Sequence, residues 1–316
     1  MKPMKAVRVH EYGGLDVLRY EDVPMPVPEG GELLIRVYAA GVNPSDAKIR
    51  EGRAFASMYK DPFPLILGWD VSGVVEATGK GVEGFRTGDA VYGMVNFPYP
   101  GGAYAEYVTS PASHVAKKPS SLDHVHAAAL PLAGLTAWQA LFEAAGLSKG
   151  ESVLVHAAAG GVGHIAVQLA RCKGASHISG TASTRDEEYL RGIGVDEFID
   201  YRTRRFEEVV SEVDVVLDCV GGDTQERSWQ VLKKGGILVT IMEEPEPGRA
   251  EELGVRSSRV FVRPDSGELR ELANVADSGQ LVPSIYAVFP LREARDAHEL
   301  VEKGETRGKI VLKVAD

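Results

Sequence analysis

The run Ala158-Ala159-Gly160-Gly161-Val162-Gly163 sets small residues where a backbone could pass close to a pyrophosphate. Glycines at a strand-to-helix turn keep side chains out of that approach. The N–H groups and dipole at the helix start then favour negative charge. Ala158 stands in the first glycine position of the G-x-G-x-x-G pattern, and a tight turn of any α/β protein can show the same residues. Residues 153–170, around this turn, run for eighteen positions without Asp, Glu, Lys or Arg. A run of that length could cross a bilayer. However, His156, His164 and Gln168 interrupt it, and Gly160, Gly161 and Gly163 crowd its middle, where a helix would lose backbone entropy. Residues 153–156 suit a buried strand, and Val162, Ile165, Ala166, Leu169 and Ala170 recur at helical spacing. Strand, glycine turn and helix is the parse that fits.

The elements around this turn support it. Residues 150–265 alternate apolar runs with helical patterns such as 185–193 and 224–232. The runs are VLVH (153–156), HISGT (177–181), EFIDY (197–201), DVVLD (214–218), ILVTI (237–241) and RVFVR (259–263). This alternation predicts parallel βαβ units in a Rossmann doubly wound sheet, with the glycine turn after its first strand. In such a sheet an acid near the end of the second strand takes the ribose hydroxyls of NAD. Here that end reads Gly180-Thr181-Ala182-Ser183-Thr184-Arg185, and Asp186 and Glu187 fit the first turn of the next helix. Ser183 and Arg185 are the groups that would hold a 2′-phosphate. The expected cofactor is NADPH.

The N-terminal part reads differently. Short strands (KAVRVH, LLIRVYAAGV, VSGVVEAT, DAVYGM, AYAEYVTS) are separated by turns such as PMPVPEGG, which predicts a compact β-barrel-type domain. After residue 265 come a helical segment over 266–276, VFPL, an amphipathic stretch and KIVLKV, whose strand would return to complete that domain at an edge. The expected division is 1–126 with 266–316 for one domain and 127–265 for the other.

Composition bounds the function. A chain of 316 residues with 44% hydrophobic content suits two domains with a core each. A net charge of −10 without a basic run argues against nucleic acid. The start, MKPMKAVRVHEYGG, lacks the apolar stretch of a secretory signal, and no second apolar run suggests a membrane partner. Cys172 and Cys219 are too few for a disulfide framework and wrongly spaced for a zinc cluster, so both read as buried thiols. A cytoplasmic protein is expected.

The order barrel, Rossmann domain, barrel resembles the medium-chain dehydrogenase/reductase superfamily over the whole chain, and within it the zinc-independent quinone oxidoreductase branch. The matching motifs are GVNPSDAKIREG (41–52), GWDVSGVVEATGKGVEGFRTGDAVYG (68–93), GGAYAEYV (101–108), LPLAGLTAWQAL (130–141), HAAAGGVG (156–163) and GKIVLKV (308–314). The resemblance implies a GroES-like catalytic domain beside the Rossmann domain. It also shows what is missing. Asn43 stands where zinc alcohol dehydrogenases have a cysteine ligand, Gly68-Trp69-Asp70 where they have Gly-His-Glu, and the third ligand falls near Leu132. None of the three can ligate zinc as thiolate or imidazole would, so no metal is expected. Without a Lewis acid the implied substrates are quinones or α,β-unsaturated carbonyls, which take hydride with the charge delocalised onto oxygen.

Individual residues follow. The resemblance places Asn43 facing nicotinamide and substrate, although an Asn-Pro turn residue is the plain structural reading. Thr136, in GLTAW, matches the position behind the nicotinamide ring. Tyr59 lies on the segment 55–64 that overhangs the active site in the family, where a phenol could donate to a carbonyl oxygen; an exposed loop tyrosine is the alternative. Tyr201 matches a tyrosine near the 2′-phosphate. Asp46 reads as the cap of a helix starting at Ala47, Ser45 as a second cap or relay hydroxyl, and Trp69 as pocket wall or core. Ala158, Gly160, Gly161, Val162 and Gly163 complete the cofactor set. The resemblance further implies a homodimer joined at the sheet edge RVFVR. Two other functions stay open: a zinc-free enoyl thioester reductase, and a non-catalytic regulatory relative that binds NADPH.

Overall fold

The computed structural model describes residues 2–61 and 63–315. It divides into two compact units, residues 1–135 with 263–316, and residues 136–262. Along the first stretch lie β1 (Pro3–Val9), β2 (Arg19–Pro24), β3 (Glu32–Val42), α1 (Pro44–Arg50), β4 (Leu65–Ile66), β5 (Asp70–Thr78), β6 (Ala90–Met94), β7 (Tyr107–Pro111), β8 (Val115–Lys117), α2 (His124–Ala128) and α3 (Pro131–Trp138). The second unit holds β9 (Ser152–Val155), α4 (Gly163–Lys173), β10 (His177–Ala182), α5 (Glu187–Gly192), β11 (Glu197–Asp200), β12 (Val213–Asp218), α6 (Gly222–Ser228), β13 (Leu232–Thr240), α7 (Arg249–Leu253) and β14 (Arg256–Arg259). The chain then returns through α8 (Ser266–Asp277), β15 (Ile285–Pro290), α9 (Ala294–Glu302) and β16 (Lys309–Lys313).

In the first unit β3 is the organising strand. It runs for eleven residues, eight of them buried, and it pairs antiparallel with β16, β5 and β7. Among the described residues the sheet order is β15-β16-β3-β5-β6-β8, with a separate sheet β2-β1-β4. KIVLKV is therefore an interior strand, and β15, not the last strand, forms that edge. Two strands return where one was expected. A parallel partner (β15) on one side and an antiparallel one (β3) on the other give β16 more ladder bonds than an edge position would, and its four buried residues agree.

Three strand ends meet because of register. Ile310 pairs with Val42 and Asp70 with Gly41, so Lys309, Asn43 and Asp70 come together at one end of the sheet. Gly41 permits this approach. A Cβ there would lie 2.6 Å from the Ala128 carbonyl oxygen and 2.9 Å from the Asp70 Cβ and Oδ2.

Among the described residues the second unit has one parallel sheet in the order β11-β10-β9-β12-β13-β14, the Rossmann arrangement. Leu154, Ile199, Phe206, Val210, Val213, Val216 and Val231 form a core cluster on this sheet. The sixth strand is Arg256–Arg259, not RVFVR (259–263). Arg256 pairs with Ile237, so the ladder fills with polar residues and ends before the apolar ones. Apolar content misplaced it, because an edge strand need not be buried on both faces.

Candidate active site

Asn43 leaves β3 with extended backbone (φ −125°, ψ 151°) and caps α1, whose first residue is Pro44. Proline suits that position because its missing N–H has no helical partner there. The helix therefore begins three residues before Ala47, and Asp46 sits inside its first turn, reaching back to the Asn43 N–H at 2.8 Å. The Asn43 side chain is held at both ends. Lys309 Nζ donates to its Oδ1, and its Nδ2 donates to Asp70 Oδ2 at 3.0 Å. Asp70 Oδ1 accepts from the Leu132 N–H at 2.7 Å, and Lys309 Nζ lies 3.5 Å from Asp70 Oδ2. Asn43, Asp70 and Lys309 are all buried.

Beside this cluster runs a second buried chain of hydrogen bonds. Arg50 donates to His298 Nδ1 at 3.2 Å and pairs with Glu302 at 2.7 Å. Arginine has no acceptor, so the His298 proton must sit on Nε2, which faces the Tyr104 hydroxyl at 3.3 Å. Tyr104 in turn donates to Asp46 Oδ2 at 2.9 Å. Burial, with Arg50 adding to it, pulls His298 down to about 3, so the ring is neutral. Burial pushes the Asp46 carboxyl up to about 7, against the bonds from Asn43 and Tyr104.

Tyr59 follows a short turn over Ala54–Met58, in the 55–64 segment, of which Pro62 lies outside the described residues. Its hydroxyl donates to the Pro98 carbonyl at 3.0 Å, and burial holds its proton more tightly than usual. Trp69 donates to the Tyr99 carbonyl at 2.8 Å and packs edge-on against Phe55 and Phe97. It is buried in the core of the first unit.

In the second unit the chain turns out of β9 through Ala157, whose φ of +49° is left-handed for a residue with a Cβ. The Ala158 N–H bonds to Thr181 on β10 at 2.9 Å, fixing the turn against the sheet. Gly163 opens α4 and has no room for a side chain: a Cβ would sit 2.3 Å from the Ala157 carbonyl oxygen. Close passage of helix start and strand end is the role of the third glycine in this pattern. His164 holds the turn from behind, its Nδ1 donating to the Gly160 carbonyl at 2.7 Å. Thr136 is buried on α3, where this unit begins.

The ends of β10 and β11 lie side by side, Ala182 against Asp200, which brings Ser183 and Tyr201 together. Ser183 donates to Asp186 Oδ2 at 3.0 Å, and Arg185 Nε lies 3.7 Å from the same oxygen. Asp200 accepts from the Thr184 hydroxyl and from the Arg202 N–H, bonds that hold its carboxyl below its ordinary value. Arg202 also lies over the exposed Tyr201 ring, 5.6 Å from its centroid, with Nε donating to the hydroxyl at 3.3 Å. A pyrophosphate cradle and a cationic, hydroxyl-bearing strand end thus occur in one unit. These residues fit a dinucleotide.

The model for the alcohol dehydrogenase GroES-like domain matches residues 29–120, and that for zinc-binding dehydrogenase matches residues 193–312. The chain is similar to 2-methylene-furan-3-one reductase of Solanum lycopersicum, at 38% identity over 98% of this chain and 79% of that one. It is similar to the NADPH-dependent alkenal/one oxidoreductase, chloroplastic, of Arabidopsis thaliana, at 36% identity over 98% and 80%. Its fold matches the structure of the quinone oxidoreductase from Coxiella burnetii with a TM-score of 0.91 and 38% identity, covering 99% and 100% of the two chains. The chain belongs to the medium-chain dehydrogenase/reductase superfamily. It is an oxidoreductase of the quinone and enone group within it.

The zinc ligands of that superfamily are replaced here by side chains already committed elsewhere. Asn43 is bound by Lys309 and Asp70, Trp69 by Tyr99 and two phenylalanines, and Leu132 offers only its N–H. Among the described residues no three His, Cys, Asp or Glu side chains gather as metal ligands would. The donor set does not fit a zinc ion. Asp70, Lys309 and Arg202 went unrecognised as site residues in the sequence. A lone lysine opening the apolar strand KIVL, and the basic run YRTRR after the third Rossmann strand, were the available signals.

Proposed function

We propose that this chain is an NADPH-dependent reductase that transfers hydride, without zinc, to quinones or α,β-unsaturated carbonyls. The observation that carries the reading is the Asn43 amide, gripped by Lys309 and Asp70 in the place of a metal ligand. The relatives named 2-methylene-furan-3-one reductase and alkenal/one oxidoreductase support a conjugated carbonyl as acceptor.

When bound, the reduced nicotinamide supplies the hydride. The turn at Ala158, Gly160, Gly161, Val162 and Gly163 would hold the pyrophosphate and Thr136 the nicotinamide end. Ser183, Arg185, Tyr201 and Arg202 would take the 2′-phosphate. Asn43 would donate an N–H hydrogen bond to the acceptor oxygen, where negative charge develops during reduction. Tyr59 closes the wall: its proton is engaged with Pro98, so protonation of the product from solvent is the simpler route.

The chain also functions as a homodimer in this reading. Among the described residues β14 pairs with β13 alone, leaving its outer edge for a second copy, and Phe261 beyond it is 52% exposed.

Loss of reduced-nicotinamide absorbance with a quinone, a short enone and an enoyl thioester in turn tests the function. Turnover of quinone or enone is expected. Turnover confined to the thioester, or none with any acceptor, would overturn it.

A further inference from the structure

We propose that Lys309 is a positioning residue for the reduction, fixing and polarising the Asn43 amide so that its remaining Nδ2 proton becomes a strong oxyanion donor. This rests on the function proposed above.

The orientation of the amide follows from its partners. Lys309 can only donate, so it must face Oδ1, and the Asp70 carboxylate can only accept, so it must face Nδ2. A flipped amide would set NH2 against ammonium and oxygen against carboxylate. One Nδ2 proton is committed to Asp70, and the second has no partner among the described residues. An ammonium bonded to an amide oxygen draws electron density from the nitrogen, and hydrogen bonds in such a chain strengthen one another. Burial enlarges the effect, since Asp70 is fully buried and the Lys309 side chain is only 4% exposed.

Stability is a poor explanation for this pair. A buried ion pair is often no more stabilising than well-packed apolar residues of the same volume. Strand β16 is otherwise apolar and buried up to Leu312, and register alone would not require a lysine at its first position.

The test removes the cation without stranding its partner. The double variant Lys309→Met/Asp70→Asn keeps the volume and leaves no unpaired buried charge; Lys309→Arg keeps the cation. With an enone acceptor, kcat should fall by about 10- to 100-fold in the double variant, with KM for NADPH unchanged and much of the loss recovered in Lys309→Arg. In an Asn43→Ala background the same change should cost less than about twofold, because nothing remains to be polarised. A loss as large in that background as in the parent would overturn the proposal. Selective ¹⁵N labelling of asparagine in the cofactor-free protein supplies a second readout: the Asn43 side-chain amide protons should move upfield when Lys309 is lost. An unmoved signal would also overturn it. A parent inactive with every acceptor refutes the proposed function instead, and the amide signal then decides alone whether Lys309 polarises Asn43.

Discussion

Tyr104 and Asp46 meet through a 2.9 Å hydrogen bond inside the first unit, the phenol donating to Oδ2. Oδ1 of the same carboxyl is buried and has no hydrogen-bond partner among the described residues. One side of the carboxyl is thus suited to an anion and the other to a proton. Asp70, Lys309, Asn43, Tyr104 and Tyr59 are the polar and charged groups around it.

Stability should carry the trace of that carboxyl. Its folded value, raised by burial to about 7, lies above its ordinary value of 3.8. A group shifted this way stabilises the fold below the ordinary value and loses that contribution as pH rises through the folded one. In thermal melts from roughly pH 4 to pH 8 the Tm of the parent relative to Asp46→Asn should drop as pH rises, by on the order of a few degrees, since the other titrating groups, the depressed His298 among them, are common to both proteins. Equal slopes in the two proteins would place the titration of Asp46 below this window.

The glycine turn gives a pair of contrasting variants. Gly161→Val should abolish NADPH binding while the melt persists, since the side chain would stand where the pyrophosphate approaches. Gly163→Ala should weaken binding and also destabilise the fold by about 1–3 kcal/mol, because its Cβ would meet the Ala157 carbonyl. Titration of NADPH into a folded Gly161→Val protein with undiminished affinity would mean the cofactor lies elsewhere.

Cofactor choice is a ratio of kcat/KM for NADPH over NADH. Arg185→Ala should lower that ratio by about ten- to a hundredfold, the effect of a lost charge-assisted bond. Arg202→Ala and Ser183→Ala should lower it by less. A parent that prefers NADH would show that Asp186 faces the ribose, its bond from Ser183 notwithstanding.

Metal content is a direct check. Elemental analysis should find no stoichiometric zinc, and EDTA should leave turnover unchanged, because Asn43, Trp69 and Leu132 stand in the ligand positions. About one zinc per active chain would refute the donor assignment.

Light scattering at micromolar concentration should report twice the chain mass. Arg substitutions that lengthen side chains on the outer edge of β14, such as Ser257→Arg, should shift the equilibrium toward monomer. A monodisperse parent monomer would sink the edge-pairing idea.

The Rossmann unit was legible in the sequence because parallel strands covered on both faces must be continuously apolar, and the glycine turn follows the first of them. The same rule misplaced the sixth strand, where pairing with Ile237 outweighs burial at Arg256. The first unit was harder. Its last interior strand, β16, comes from the far end of the chain to a place that only its pairing with β3 reveals. Asn43 was singled out through its departure from a ligand position that the resemblance implies. Its partners were not, since Lys309 lies 266 residues away and Asp70 is 27 residues away with the intervening chain between them.

The interior position of β16 bears on how the protein is made. Residues 1–135 leave the ribosome before residues 136–262, and β15 and β16 come after both. Until they arrive, β3 presents the backbone of Ala39, Ala40, Gly41 and Val42 as an open edge in an apolar stretch. The Rossmann unit is contiguous and can fold during this interval, whereas the first unit must wait with that edge exposed. An edge left open in this way invites association between newborn chains, and the pairing of β16 with β3 closes it at the same moment that it brings Lys309 to Asn43.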